Sequence, residues 1–421
     1  MSDRRWIRYA IRASLLIGIA FCAYQTFRQA MGAWYFRQKS PQAIQTAIEW
    51  DPHNPEYFDA LGTLTRLFSD NANPAQIIEL HKTAVQLSPE NAQYWADLGA
   101  AYEGAGRSGD ALHAFERAAQ LSPESPDINW RLANFYVRAS KVPEGLHTLQ
   151  KVLLGDGVAS QQVFALATSA TRDNEAILDK LLPPRASVFF EYMQFQIQMR
   201  RLDAAEQAWG RLLQLNLAFD LRQAFPYLDG LIQHRETTAL GEAWSALATR
   251  FPDRIHPGES AGDRMTNGSF EFEILNGGLD WRVMPVEGVV VSVDSLNHFD
   301  GVHSLRIEFD GTRNIAYGDV LQYALVEPSS RYGFSAHMRA EGVTTDSGPR
   351  MEVFDAYDMG KLFLYTSGVV GNSEWSLERI DFDTGPDTHL VVVRVARPAS
   401  KKLDNRIKGE VWLDQVSLVR R

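Results

Sequence analysis

The sequence predicts a multidomain chain, all-α first and all-β second: an N-terminal transmembrane helix, an α-solenoid of helical hairpins, and a C-terminal β-sandwich. Three observations predict it. An apolar run near the N-terminus follows a cluster of arginines. Ala92–Pro123 places its apolar and small residues at the positions of a helix-turn-helix repeat, with related stretches on both sides. After Pro252 the helical spacing gives way to strand alternation and Gly-rich turns. The divisions expected are 1–37 for the anchor, 38–253 for the array, 254–265 for a linker and 266–421 for the sandwich.

A chain of 421 residues has room for several cores, and its apolar share of 45% suits globular packing. The formal net charge of -10 argues against a nucleic-acid partner, because such binding draws on clustered Lys and Arg. A single cysteine, Cys22, excludes an intrachain disulfide framework and a Cys-rich zinc site.

Arg4, Arg5, Arg8 and Arg12 precede or interrupt the apolar run Ala13–Tyr24, in which Ser14 is the plainly polar residue. A hydrocarbon core asks for about 20 residues, so the expected span is 9–27, with Arg12 reaching toward the headgroups. The basic flank keeps this end cytoplasmic and exports the rest. Phe21 before Cys22 suits neither a signal-peptidase site nor a lipoprotein site, so an uncleaved anchor is expected. A cleaved signal and an interfacial helix are the alternatives. Met31–Phe36 either extends this helix or forms an aromatic cluster at the far interface.

The central repeat carries Trp95, Leu98, Gly99, Tyr102, Gly106, Ala111, Phe115, Ala118 and Pro123. One such hairpin cannot bury its apolar face alone, which is why neighbours are required. Pro41–Pro52 reads as the second helix of an incomplete first unit, with Ala43, Ile44 and Ala47 inward. Tyr57–Gly62 opens the next hairpin, the extra residues of Ser69–Pro74 fall at its turn, and Asn73-Pro74 starts the return helix. Later units continue to Pro252, with Phe189, Tyr192, Trp209, Tyr227 and Trp244 among their apolar positions.

These positions resemble the tetratricopeptide repeat family over about half of the chain. The resemblance implies a binding scaffold whose concave face holds a peptide or protein. The positions it assigns to that face include Tyr94, Asp97, Asn129, Arg131, Asn134 and Arg138. Asn134 and Arg138 stand four apart on one helical face and together suit a carboxylate or backbone groups.

From Thr266 onward the expected strands include Phe270–Leu275, Val289–Asp294, Ser304–Phe309, Val320–Val326, Tyr332–Arg339, Arg350–Phe354, Leu362–Tyr365, Ser376–Phe382, Leu390–Ala396 and Val411–Val419. Leu305, Ile307 and Phe309 face one way, with Arg306 and Glu308 the other. Asn267-Gly268, Asn276-Gly277-Gly278, Asp300-Gly301 and Asp310-Gly311 supply turns. The segments Asn267–Glu271, Gly278–Trp281, Gly301–Leu305 and Val411–Val416 resemble the jelly-roll carbohydrate-binding modules, also described as galactose-binding-like. That resemblance implies one structural calcium, with Glu271 and Asp414 as its side-chain ligands. It also implies sugar recognition by aromatic rings beside polar groups, for which Tyr317, Tyr357, Trp375 and Arg394 are the candidates. Trp281 and Trp412 are assigned to packing.

The sequence carries no phosphate-binding loop, zinc-protease pair or nucleophile elbow. Glu352 and Asp355 are a carboxylate pair of the kind a glycosidase uses, but chain spacing does not set their separation. The expectation is therefore a non-enzymatic, membrane-anchored scaffold, with a protein partner on the array and a sandwich touching glycan or another subunit. The expected setting is a single pass through a bacterial inner membrane with the bulk periplasmic, as in polysaccharide export or envelope assembly. A glycan-binding protein with the array as spacer and a structural subunit of a larger membrane complex are the alternatives.

Overall fold

The computed structural model describes residues 3–68, 73–155, 157–258, 262–403 and 405–421, with side chains from residue 6. Among these residues the chain forms helices up to Arg250 and then two β-sheets, an α-solenoid followed by a β-sandwich. It divides into two compact units, Met1–Phe195 and Gln196–Arg421.

The first unit opens with α1, Asp3–Phe36, an unbroken helix of 34 residues. Within its Trp6–Phe36 stretch an 18-residue window has a mean hydropathy of 1.4, and the stretch is long enough to cross a membrane. Leu15, Leu16, Ile17 and Ile19 all point away from the protein. The last turns behave differently. Gly32 faces Ala47 and Tyr57, Phe27 meets Trp50 edge-on, and Phe36 packs on Tyr57. Thus Met31–Phe36 extends the helix, and α1 supplies the first helix that the unit around α2 (Pro41–Trp50) was expected to lack. Ser40 caps α2 by accepting the Ala43 N–H, and Pro41 occupies its first turn.

Paired helices follow: α3 (Pro55–Phe68) with α4 (Pro74–Leu87), α5 (Ala92–Gly104) with α6 (Ser108–Leu121), and α7 (Pro126–Arg138) with α8 (Val142–Leu154). The turn expected at Ser69–Pro74 lies outside the described residues over 69–72, while Asn73 caps α4. Ala96, Leu98, Tyr102, Ala111, Phe115 and Ala118 are buried together with Ile128, Leu132 and Phe135. Truncating Phe115 to alanine would cost about 3–5 kcal/mol, because the small residues around it cannot collapse into the void. Next come α9 (Ser160–Ala170) and α10 (Asn174–Lys180), shorter than the helices of the preceding pairs, and then α11 (Ala186–Gln198).

The second unit holds α12 (Leu202–Gln214), a 3-10 turn at Leu221–Ala224, α13 (Phe225–His234), α14 (Thr237–Arg250) and the sandwich. One sheet is ordered β1-β4-β9-β6-β7, formed by Arg282–Val283, Tyr317–Leu325, Leu390–Arg397, Arg350–Asp355 and Phe363–Tyr365. The other is β2-β3-β10-β5-β8, formed by Val289–Asp294, Ser304–Asp310, Lys408–Arg420, Arg331–Val343 and Gly371–Asp383. Leu305, Ile307, Val393, Val395, Val411 and Leu413 fill the space between the sheets, as alternation requires. Helices α13 and α14 pack on this sandwich: Phe225 lies against Gly277 and Trp244 against Gly278. Gly278 has φ +60, and a side chain at either glycine would collide with those rings.

One expected strand is absent. Phe270–Leu275 is not a strand: Phe270 takes φ +57, and the Asn267 amide ties this segment through both the N–H and the C=O of Phe272. Side-chain capture of the backbone replaces a ladder. Within the stretch 254–265, isolated bridges join Pro257 to Thr266 and Asp263 to Val419.

Candidate functional site

On the array, a cavity of about 530 Å³ is lined by Phe36, Arg37, Lys39, Ile44, Asp59, Ala60, Leu64, Gln93, Asp97 and Arg131. Its apolar part comes from the end of α1, from α2 and from α3. Around Asp97 its polar part is internally paired. Arg131 Nη1 donates to Asp97 Oδ1 at 2.7 Å, Gln93 donates to Asp97 Oδ2 at 3.1 Å, and Asp127 takes the Arg131 Nε side at 3.2 Å. Desolvation is the largest single effect on Arg131 and works against its charge, but the Asp97 hydrogen bond and the charges of Asp97, Asp127 and Asp59 together outweigh it and raise the pKa. Asp59 is raised, first by burial, and its Oδ1 stands 2.9 Å from Nδ1 of fully buried His81.

Of the six residues expected on the concave face, the cavity gathers Asp97 and Arg131. The others lie outside its lining. Asn129 is buried and clamps the chain entering α7, donating to the Pro123 and Ser125 carbonyls. Asn134 donates to the Trp130 carbonyl of its own helix. Arg138 makes a two-pronged pair with Glu103 at 2.8 and 2.9 Å. Tyr94 is half-buried, its hydroxyl pKa raised by burial and by Asp59. Phe36, Arg37, Lys39 and Asp59 were not anticipated, because the sequence does not reveal that the apolar N-terminal helix ends as a groove wall.

On the sandwich, the expected sugar-binding residues are dispersed. Tyr317 is 4% exposed and sits in the core with its ring edge-on to Phe309, which corrects its placement beside a loop. Tyr357 is half-buried beneath the Arg235 guanidinium, and burial pushes its hydroxyl up to about 12. Trp375 belongs to β8, beside Phe299. Arg394 belongs to β9, in the other sheet. Trp281 is packed inside as expected. Trp412 is equally buried but faces away from the core, under Arg339, with its indole N–H donated to Asp294.

What the structure does assemble is a charged cluster on the outer face of the sheet that contains β9. Glu352, 2% exposed, accepts from Nε and Nη2 of Arg350 through Oε1, and from Nε and Nη2 of Arg394 through Oε2. Arg350 lies 3.8 Å from the Tyr365 ring centre, and Arg394 lies 4.7 Å from that of Phe354. The register places Glu352 opposite both Arg394 and Tyr365. Asp355 is engaged elsewhere, accepting from the Thr388 hydroxyl and the Tyr357 and Asp358 N–H groups. The two acids therefore do not face one reacting centre. Further along the same sheet, α13 and α14 cover the face: Arg282 pairs with Asp229 across the Tyr323 ring, and Gly241 touches Leu325.

Glu271 and Asp414 do not fit a calcium cage as arranged. Glu271 Oε1 accepts the Val302 and His303 N–H groups, and Oε2 meets the His303 ring. Asp414 Oδ2 accepts from Phe299 and Asp300, and Oδ1 accepts from Gln415. Calcium needs converging oxygens, whereas these carboxylates are met by N–H donors. Burial raises the Asp414 pKa; at Glu271, burial is the largest single effect but is outweighed by the two backbone N–H bonds and the His303 ring together, and its pKa falls. Both acids pin the 299–303 segment. Among the described residues, no group of three or more His, Cys, Asp or Glu stands ready for a metal.

Fold and sites together define a helical-repeat protein with a C-terminal β-sandwich, and its repeat region is tetratricopeptide-like. The tetratricopeptide repeat profile matches residues 102–170. The chain is 38% identical over 76 residues to the cytochrome c-type biogenesis protein CycH of Pseudomonas aeruginosa, a match covering 17% of this chain and 19% of that protein. The chain thus spans about a fifth of that curated relative. Among solved structures it is similar to MamA, with 18% identity over 42% of this chain and 86% of the other at a TM-score of 0.25. It is also similar to TmCBM61, solved in complex with β-1,4-galactotriose, with 18% identity over 38% of this chain and 100% of the other at a TM-score of 0.29.

Proposed function

We propose that this chain is a membrane-anchored, non-catalytic scaffold whose array receives a protein partner and whose sandwich contacts glycan or a further subunit. In this reading α1 is a single-pass anchor of a bacterial inner membrane, with the N-terminus cytoplasmic and the bulk periplasmic. The setting is polysaccharide export or envelope assembly.

One observation supports the reading above the others: the cavity on the array is walled by the same helix that carries the apolar stretch. At about 1.5 Å per residue, Phe36 stands about 14 Å beyond Phe27, so the groove opens close to the bilayer surface. Its apolar floor and the cations Arg37 and Lys39 suit an extended segment with apolar and acidic side chains.

The test is co-purification of the full chain from its own membranes in mild detergent, after an alkaline wash. The account expects retention through the wash and a partner in fixed ratio that is lost with Leu64→Arg. Release by the wash removes the anchor from the account. A partner that survives Leu64→Arg moves the contact to another surface and favours the array as a spacer.

A further inference from the structure

Glu352 is almost wholly buried, yet one carboxylate is shared by two guanidinium groups, so the cluster keeps a net positive charge. A buried ion pair normally balances its charge, since desolvating an extra ion is costly. Here the surplus is reachable: the Arg350 and Arg394 side chains remain 19% and 27% exposed. Each arginine spends Nε and Nη2 on Glu352. Among the described residues neither Nη1 has an acceptor. Because both are held by the two oxygens of one carboxylate, the guanidinium groups are neighbours with fixed planes.

Tyr365 completes the arrangement. It is 55% exposed although Arg350 is stacked on its ring, which leaves ring surface open to solvent. An aromatic face beside fixed cationic donors is the combination that takes a pyranose carrying an acidic group: the ring C–H face on the aromatic, the anion on the guanidinium edges.

We propose that Arg350, Arg394 and Tyr365, organised by Glu352, bind a carboxylated sugar residue of an acidic polysaccharide. The sugar carboxylate takes the free Nη1 donors, and its apolar face lies on Tyr365. This deepens, and rests on, the reading of the sandwich as a glycan-contacting domain.

The experiment is calorimetric titration of the full chain in detergent with oligogalacturonate, oligomannuronate, a neutral galacto-oligosaccharide and inorganic phosphate. The proposal expects binding of at least one uronate oligomer, weakened by added salt and lowered about tenfold by Tyr365→Ala. Tyr365 is exposed, so that variant leaves the fold intact; Arg394→Gln is the second variant, with thermal unfolding run alongside. Uronate binding unaffected by Tyr365→Ala places the glycan elsewhere and overturns the proposal. Binding of the neutral oligomer alone overturns it while leaving the glycan reading standing. Binding of phosphate without any oligomer reduces the cluster to a simple anion site. Binding of none of the four removes both the proposal and the glycan reading.

Discussion

Arg28 Nε donates to the Trp50 carbonyl at 2.8 Å, tying the helix that carries the apolar stretch to the end of the next helix. With the Phe27–Trp50 edge contact, this makes the passage from the N-terminal helix to the array a packed joint. Gly32 lies at its closest point, where an added Cβ would stand 3.3 Å from Ala47 O and from the Tyr57 ring. Gly32→Leu is expected to destabilise the first hairpin by about 1–3 kcal/mol. Faster proteolysis near residue 38, with the sandwich still resistant, is the readout. An unchanged cleavage pattern would mean the joint is looser than its contacts indicate.

Two of the ion pairs on the array, Arg131–Asp97 and Arg138–Glu103, are expected to differ in weight. Asp97 is buried and accepts from both Arg131 and Gln93, whereas the Arg138–Glu103 pair is solvent-exposed on the arginine side. Asp97→Asn leaves a partly buried cation underpaired and is expected to cost about 2–3 kcal/mol. Arg138→Ala should cost under about 1 kcal/mol. Chemical denaturation of both variants checks the order; equal losses would contradict it.

Asp280 is 1% exposed; its Oδ2 accepts the Leu275 N–H, while Oδ1 has no partner. Burial pushes its pKa up to about 7, against the opposing backbone N–H groups. The folded value exceeds the unfolded one of about 4, so the native state binds the extra proton between them. Its contribution is full below about pH 4 and is lost as pH rises toward 7. Asp280→Asn should therefore flatten the fall in sandwich stability between pH 5 and about 8, a difference on the order of a few kcal/mol. Thermal unfolding across that range measures it, and an identical slope in the variant would refute the assignment.

Glu271 and Asp414 are satisfied by N–H donors, and Phe299 in the segment they hold stacks on His337 at 3.6 Å. Chelator is expected to leave the sandwich melting temperature unchanged, whereas Asp414→Ala should lower it by several degrees. A drop on chelation, restored by calcium, would show that an ion displaces these N–H contacts.

Much of the architecture was legible because local chemistry and packing agree. Gly106 takes φ +72 at the break read between α5 and α6, and Leu305, Ile307 and Phe309 point inward as alternation required. The Asn-Gly and Asp-Gly turns carry positive φ at Asn267, Asn276, Gly301 and Gly311. The failures arise where distant partners decide. Phe270–Leu275 looks like a strand, but Asn267 captures its backbone. The role of Arg350, Glu352 and Arg394 depends on the register between β6 and β9, which no local pattern encodes. Tyr317 resembles a loop aromatic until the sheet carries it inward. The groove on the array was missed because a long apolar helix gives no sign of where its packing against the repeats begins.

The most direct measurement is photocrosslinking in intact cells from a benzophenone side chain at position 64, inside the array cavity, compared with position 113, exposed on α6. A discrete crosslinked species from position 64, absent from position 113, is the result the scaffold account predicts. No product at 64, or equal labelling at both positions, would contradict it.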